Sequence, residues 1–358
     1  MATSTTPNNS NNKFKVAAAH SAPIYMNKTA TLQKVIQLIE QAASEDIKLV
    51  VFPETYVPGY PYFIETTPPL LQPPILAKYA DQSVVVSDDL SEVQSACLRT
   101  GVSINLGISE RMKGGYTLFN SQVTIDGASG EILGVHRKLQ PTYVERIVWA
   151  QGTPSTLTVH PLPALNNHNL GALACWENTM NLARQSLILQ AEHVHAAGWP
   201  ALSTMSGFEP VADIQIEALM KSHALTAQVF VICASNYVDA TCLDWMETNL
   251  GGPQDFVKEG GGWSAVVHPF CSILNEGGKA VTGSGERLVA AEINFGDLKQ
   301  VKVWLDAAGH YARPEVLEVR VDGKKYWEDE RRGGRRWWKG EGKNRAGEEE
   351  KDEEGREE

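Results

Sequence analysis

An α/β fold with mixed sheets is what this 358-residue sequence predicts, on three observations. Short apolar runs rich in β-branched residues alternate with amphipathic helical stretches through the first two thirds of the chain. Two apolar runs joined by Asp126-Gly127-Ala128-Ser129-Gly130 read as a hairpin, which adds antiparallel neighbours to the parallel ones. With 42% hydrophobic residues, the chain carries enough apolar surface for a sizeable core in one large or two ordinary domains.

Residues 14–19 form the first strand, short and apolar. Leu32, Val35, Ile36, Ile39 and Ala43 then repeat at helical spacing and mark a helix with one buried stripe. Leu49-Val50-Val51-Phe52 is a continuous apolar run, as expected for a strand covered on both faces. It stops at Pro53, and Glu54 follows. Residues 56–63, four of them aromatic, and the prolines up to Pro74 read as an irregular segment of the kind that lines a pocket. A helix through Leu90, Val93 and Cys97 ends near Gly101, and a strand covers 102–109. Residues 118–125 and 132–135 are the arms of the hairpin.

Further on, an apolar run from Leu170 to Ala174 ends abruptly at Cys175, and a helical pattern through Met180, Ala183, Leu187 and Ala191 follows. Cys175 therefore sits at a strand-to-helix corner, where the helix start is expected to favour a thiolate. A strand at 193–197, a helix through Ile214, Ala218 and Lys221 to Ala227, and a strand at 229–234 repeat the alternation. Later strands are predicted at 264–267, 272–274 and 288–293. His193 and His195 lie two apart on one strand face, but a third ligand is missing, and no metal is expected. There is no repeat of fixed period, no glycine-rich phosphate loop and no H-E-x-x-H spacing.

A net charge of −11 argues against nucleic acid or an anionic membrane as the main partner. The five cysteines lack paired spacing, which suggests neither a disulfide framework nor a zinc site and points to a reducing compartment. Residues 1–12 are polar and read as a flexible start without a secretory signal, and no run approaches a membrane span. A soluble cytoplasmic protein is the expectation. Residues 324–358 hold 11 Lys or Arg and 12 Asp or Glu with almost no aliphatic side chains. Such a composition buries too little apolar surface to offset ordering entropy, so a disordered tail is expected from about residue 318, its basic patch at 331–336 solvated.

Glu54, Lys138 and Cys175 share one feature: each lies at or just beyond the C-terminal end of a predicted strand. In layered α/β proteins such ends converge, and these three side chains supply a base, a cation and a nucleophile. Glu145, seven residues past Lys138, either orients the lysine and helps activate water or pairs with Arg146. Candidate pocket walls are Tyr60, Tyr62 and Phe63 after the glutamate, Trp176 after the cysteine, and Trp199-Pro200 after the next strand. Ordinary aromatic core is the competing role for each.

The segments Val51-Phe52-Pro53-Glu54, His136-Arg137-Lys138-Leu139-Gln140-Pro141-Thr142-Tyr143-Val144-Glu145-Arg146 and Ala174-Cys175-Trp176-Glu177-Asn178 resemble the three signature regions of the nitrilase branch of the carbon-nitrogen hydrolase superfamily. The resemblance runs from about Phe14 to Val316, closing on the segment 306–316. It implies a four-layer αββα sandwich over residues 13–317 and a Glu-Lys-Cys triad at Glu54, Lys138 and Cys175, with Glu145 as a second glutamate. It also implies pairing into dimers across a helical face, often extended into spirals. The implied reaction converts a nitrile to the carboxylic acid and ammonia without a cofactor. An amidase or carbamoylase would use the same triad on a carbonyl. Trp176 in Cys-Trp-Glu resembles nitrilases, whereas many amidase relatives carry a smaller aromatic followed by aspartate. A cyanide hydratase, which stops at the amide, has a close triad, and a catalytically silent scaffold is disfavoured by retention of all four polar residues.

Overall fold

The computed structural model describes residues 12–252 and 255–323. The expectations for the charged tail beyond 323 and for residues 1–11 lie outside the described residues. In chain order the elements are β1 (Lys13–His20), α1 (Lys28–Ser44), β2 (Ile47–Val51), α2 (Pro73–Gln82), α3 (Val86–Asp89), α4 (Ser91–Thr100), β3 (Ser103–Arg111), β4 (Leu118–Ile125) and β5 (Ile132–Arg137). The second part contributes β6 (His160–Leu162), β7 (His168–Ala174), α5 (Asn181–Leu189), β8 (Val194–Trp199), α6 (Ala212–Ala227) and β9 (Phe230–Ser235). It closes with α7 (Ala240–Leu250), β10 (Ala265–Val267), β11 (Arg287–Asn294) and α8 (Gly296–Lys302).

Two mixed sheets result, ordered β11-β1-β2-β3-β4-β5 and β10-β9-β8-β7-β6. The parallel pairs β1/β2, β2/β3, β7/β8 and β8/β9 lie at the sheet centres and the antiparallel pairs at the margins. Period-two alternation of apolar side chains decides the layering. Val16, Ala18, Leu49 and Val51 of the first sheet pack against Ala196, Phe230 and Ile232 of the second. Their neighbours Ala17 and Val50 point the other way, onto Val35 and Ile39 of α1 and Val93 and Ala96 of α4. Ala197, Val231 and Cys233 likewise turn toward Ile216, Met220 and Ala224 of α6. Both faces of both sheets are therefore covered, which is the αββα sandwich, and each buried Val, Leu or Ile adds about 1.5–3 kcal/mol.

Several elements differ from the sequence reading for identifiable reasons. The aromatic, proline-rich stretch ends in α2, whose first turn contains Pro73 and Pro74, a place where a missing N–H costs little. The helix α7 buries only Cys242 and Met246, too sparse a stripe to stand out by periodicity. Residues 272–274 are not a strand: Ile273 makes an isolated bridge to Val267, and the Leu274 N–H donates to the Val266 carbonyl at 2.8 Å. After Cys175 the chain makes a 3-10 turn, Cys175–Thr179, before α5 begins, so Ala183 and Leu187 are buried while Met180 is exposed and Ala191 lies beyond the helix. No helix among the described residues is long and apolar enough to cross a membrane.

Candidate active site

Three strand ends deliver Glu54, Lys138 and Cys175 to one buried point. β2 stops at Val51, and Glu54 follows in a turn squeezed between β3 and β8. A Cβ on Gly107 of β3 would lie 2.0 Å from the Pro53 carbonyl oxygen, and one on Gly198 of β8 would lie 2.9 Å from the Glu54 nitrogen. Only glycine at both positions lets the glutamate turn through. Lys138 directly follows β5, its N–H donating to the Asn120 carbonyl of β4 at 2.8 Å. Cys175 directly follows β7. Glu145 caps its own 3-10 turn, Tyr143–Ile147, by accepting the Thr142 N–H at 2.8 Å.

The Lys138 Nζ donates to Glu54 Oε1 at 2.8 Å and to Glu145 Oε2 at 2.7 Å. Asn120 Nδ2 also donates to Glu54 Oε1, at 2.7 Å, and the Tyr60 hydroxyl donates to Glu145 Oε1 at 3.2 Å. The Cys175 sulfur and one carboxylate oxygen from each of Glu54 and Glu145 lie within 4.8 Å of one another. Exposure is 0% for Cys175, 1% for Glu54 and Lys138 and 2% for Glu145. Glu54 Oε2 is buried without a hydrogen-bond partner among the described residues. With Oε1 committed to Lys138 and Asn120, Oε2 is the oxygen left to accept a proton.

Burial raises the Glu54 carboxyl, Lys138 pulls it down, and the charge of Glu145 raises it again, leaving it at about 7. Burial works against the Lys138 ammonium, but Glu145 and Glu54 outweigh it and hold the lysine charged. Burial, followed by the charge of Glu54, pushes the Cys175 thiol well above its ordinary value, and Lys138 and the Trp176 N–H offset this only in part. That direction runs against the expectation of a helix-stabilised thiolate. Cys175 heads a single 3-10 turn rather than an α-helix, so little dipole reaches it, and two carboxylates face it.

The backbone at the site is strained. Cys175, Thr55 and Tyr143 have φ of +50°, +42° and +47°, a region that costs an L-residue roughly 1–2 kcal/mol. Such conformations persist where the surroundings over-determine them. Glu177 is one such constraint: its Oε1 accepts the Leu139 N–H at 2.7 Å and its Oε2 the Ala174 N–H at 3.0 Å. His136 Nε2 faces both oxygens, at 3.1 and 3.0 Å. One buried carboxylate thus ties the residue after Lys138 to the residue before Cys175, across the two sheets. The sequence reading assigned no role to Asn120 or Glu177. Ala174 three residues before Glu177 gives no capping-box signal, and Asn120 is one of four polar residues in β4, so neither stands out in the sequence.

The proposed pocket walls divide. Tyr60 is in the centre, bonded to Glu145, and the buried Trp199 stands edge-on to the half-buried Trp176 with ring centroids 5.8 Å apart. Tyr62 is a structural residue, its hydroxyl accepting from the Ala201 N–H at 3.1 Å and from Asn236 Nδ2 at 3.2 Å. Phe63 packs on Tyr79 and Trp245 in the core. His193 precedes β8 and stacks edge-on with His168, whereas His195 is wholly buried elsewhere, so the two do not share a site. His195 instead joins Glu192 and His223, and that carboxylate is already hydrogen-bonded to both imidazoles. Between Glu54 and Glu145 the Lys138 ammonium already bridges the two carboxylates.

Mixed sheets stacked between helical layers, with these polar residues at the strand ends, define an αββα protein of the nitrilase type. Residues 15–303 match the carbon-nitrogen hydrolase family, and the chain belongs to it. It is 31% identical over 312 residues to an aliphatic nitrilase of Rhodococcus rhodochrous, covering 86% of this chain and 82% of that protein. It is 33% identical over 311 residues to a nitrilase of Pseudomonas syringae pv. syringae, covering 86% and 89%. The fold superimposes with a TM-score of 0.66 on the crystal structure of a carbon-nitrogen hydrolase from Helicobacter pylori G27, at 18% identity, covering 87% of this chain and all of that one.

Proposed function

We propose that this protein hydrolyses an organic nitrile to the carboxylic acid and ammonia, with residues 13–317 as the catalytic domain. One observation carries the reading. The buried Cys175 sulfur lies within 4.8 Å of two carboxylates, one of which has an unengaged oxygen and is bonded to a fixed ammonium. Similarity to two proteins named nitrilases supports a nitrile as the substrate class.

Glu54 Oε2 takes the Cys175 proton as the sulfur forms a bond to the nitrile carbon, giving a thioimidate. Lys138 and the Trp176 N–H stabilise the charge that builds on the former nitrile nitrogen, and Glu54 returns the proton to it. Water, deprotonated by Glu54, then adds to the same carbon as Glu54 passes that proton to the nitrogen; the hydroxyl of the tetrahedral adduct gives up its own proton through Glu54 as the carbonyl forms, and the nitrogen leaves as ammonia. The remaining acyl thioester is cleaved by a second water, which releases the acid and restores the thiol. Glu145 holds Lys138 in line and assists the water steps. Tyr60, Trp176 and Trp199 border the substrate. A carboxyl near neutrality serves as acid and base in turn, which this cycle requires.

The enzyme is expected in the cytoplasm, where its five free cysteines, four of them buried, stay reduced. It is expected to pair through the helical face of α5 and α6, where a groove of about 980 Å³ is lined by Leu182, Leu189, Leu225, Trp304 and Leu317. Incubation with a panel of nitriles, the matching amides and cyanide, with separate detection of ammonia, acid and amide, tests the reading. Acid and ammonia from a nitrile are expected. Turnover of amides alone, or formamide from cyanide as the sole product, would overturn it.

A further inference from the structure

Behind the turn that carries Cys175 lies a chain of buried polar side chains that the reaction itself does not use. Asn178, in the turn, and His195, on β8, are fully buried, as are His223 on α6 and, at 1% exposure, Glu192. Asn178 Nδ2 donates to the Cys175 carbonyl at 2.9 Å and to the Leu173 carbonyl at 3.3 Å. The opposite orientation of the amide would set its oxygen against two carbonyl oxygens, so Oδ1 must be the atom that faces His195 Nε2 at 2.8 Å. His195 therefore carries a proton on Nε2. Its Nδ1 lies 2.7 Å from Glu192 Oε1, and His223 Nε2 lies 2.9 Å from Glu192 Oε2. Whether the proton between Glu192 and His195 sits on oxygen or nitrogen, the Nε2–H toward Asn178 is retained. Burial disfavours a charge on Glu192, but His195 and His223 overcome it and bring the carboxyl to about 2. Space for that carboxylate exists because residue 171 has no side chain: a Cβ there would lie 2.0 Å from Glu192 Oε1.

The Cys175 carbonyl and the Trp176 N–H belong to one planar trans peptide and point in opposite directions. Gripping the carbonyl from behind therefore fixes where the N–H points in front. In the reaction proposed above, that N–H meets the charge that builds on the former nitrile nitrogen. We propose that Asn178, steadied by His195 and Glu192, is a positioning residue that aims the Trp176 backbone N–H at the charge formed when Cys175 attacks the substrate. The assignment rests on the covalent reading above.

The test compares Asn178→Asp, Asn178→Ala, His195→Leu and His195→Gln with wild type in two reactions. One is steady-state hydrolysis of a nitrile that wild type turns over. The other is labelling of Cys175 by iodoacetamide, followed on the peptide that contains it. Alkylation forms a sulfur–carbon bond, expels iodide and passes the thiol proton to Glu54, and no charge builds on a substrate nitrogen for the Trp176 N–H to meet. In the Asn178 variants kcat should fall about 100-fold or more, the loss typical of one misaimed oxyanion donor. KM and the labelling rate should stay within about threefold. His195→Leu should lose kcat in the same way, and His195→Gln, which keeps an N–H donor for Asn178 Oδ1, should recover most of it. Asn178→Asp matches asparagine in shape and carries the comparison should Asn178→Ala fail to fold. Unchanged kcat in Asn178→Asp, labelling that falls in step with kcat, or a His195→Gln no better than His195→Leu overturns the proposal. A wild type that labels normally yet turns over no nitrile overturns the parent reading, a result distinct from these.

Discussion

Replacing Lys138 by methionine removes a buried cation of similar length and leaves two carboxylates facing an empty position. Glu54 loses a 2.8 Å partner and Glu145 a 2.7 Å partner, both beyond the reach of solvent. Breaking a buried ion pair from one side costs roughly 3–5 kcal/mol, a large part of the roughly 5–15 kcal/mol that keeps a domain folded. The cost depends on pH with a definite sign. Lys138 holds the Glu54 carboxyl down, so without it the carboxyl rises beyond about 7, still further from its ordinary 4.5. A carboxyl raised in the fold lends stability below its unfolded value and loses it as pH rises through the folded one. The penalty should therefore be greatest at about pH 8 and smaller at about pH 5.5, where Glu54 holds its proton in the fold. Urea denaturation followed by tryptophan fluorescence at the two pH values measures both. A loss below about 1 kcal/mol at pH 8, or the same loss at both, would refute the reasoning.

Other expectations rest on the same geometry. The acid limb of kcat/KM should report Glu54 and fall below about pH 7. In Glu145→Gln that limb should move to lower pH, because a like charge that raises Glu54 is gone, and an unmoved limb in a pH–rate profile would count against the assignment. Glu177→Gln places an amide where two backbone N–H groups need acceptors and should lower stability by about 3–5 kcal/mol, read as the urea midpoint. In the same variant turnover should drop more than substrate affinity, since the Lys138 and Cys175 segments lose their shared anchor.

The convergence of Glu54, Lys138 and Cys175 was legible because each lies at or just beyond a predicted strand end and such ends converge in layered α/β folds, here from β2 and β5 of one sheet and β7 of the other. The sheets were legible because 49–52, 170–174 and 229–234 are apolar runs of strand length, the first of the kind expected for a strand covered on both faces. What escaped were features set by tertiary contact. The helix α7 shows little stripe because few of its residues are buried. Asn120 and Glu177 look unremarkable in sequence and gain their roles from partners 66 and 38 residues away. The protonation of Cys175 could not be read from a strand-to-turn corner, since it depends on the two carboxylates that arrive from elsewhere. Glu145 lay between two sequence readings, and it bonds to Lys138 rather than to its neighbour Arg146.

The central claim is a covalent bond between the substrate carbon and the Cys175 sulfur. Acid quenching during turnover, followed by mass analysis of the peptide containing Cys175, measures it directly. That peptide should be heavier by the nitrile or by the derived acyl group, and Cys175→Ala should release no ammonia. An unmodified Cys175 peptide during turnover, together with ammonia release by Cys175→Ala at near the wild-type rate, would contradict the account.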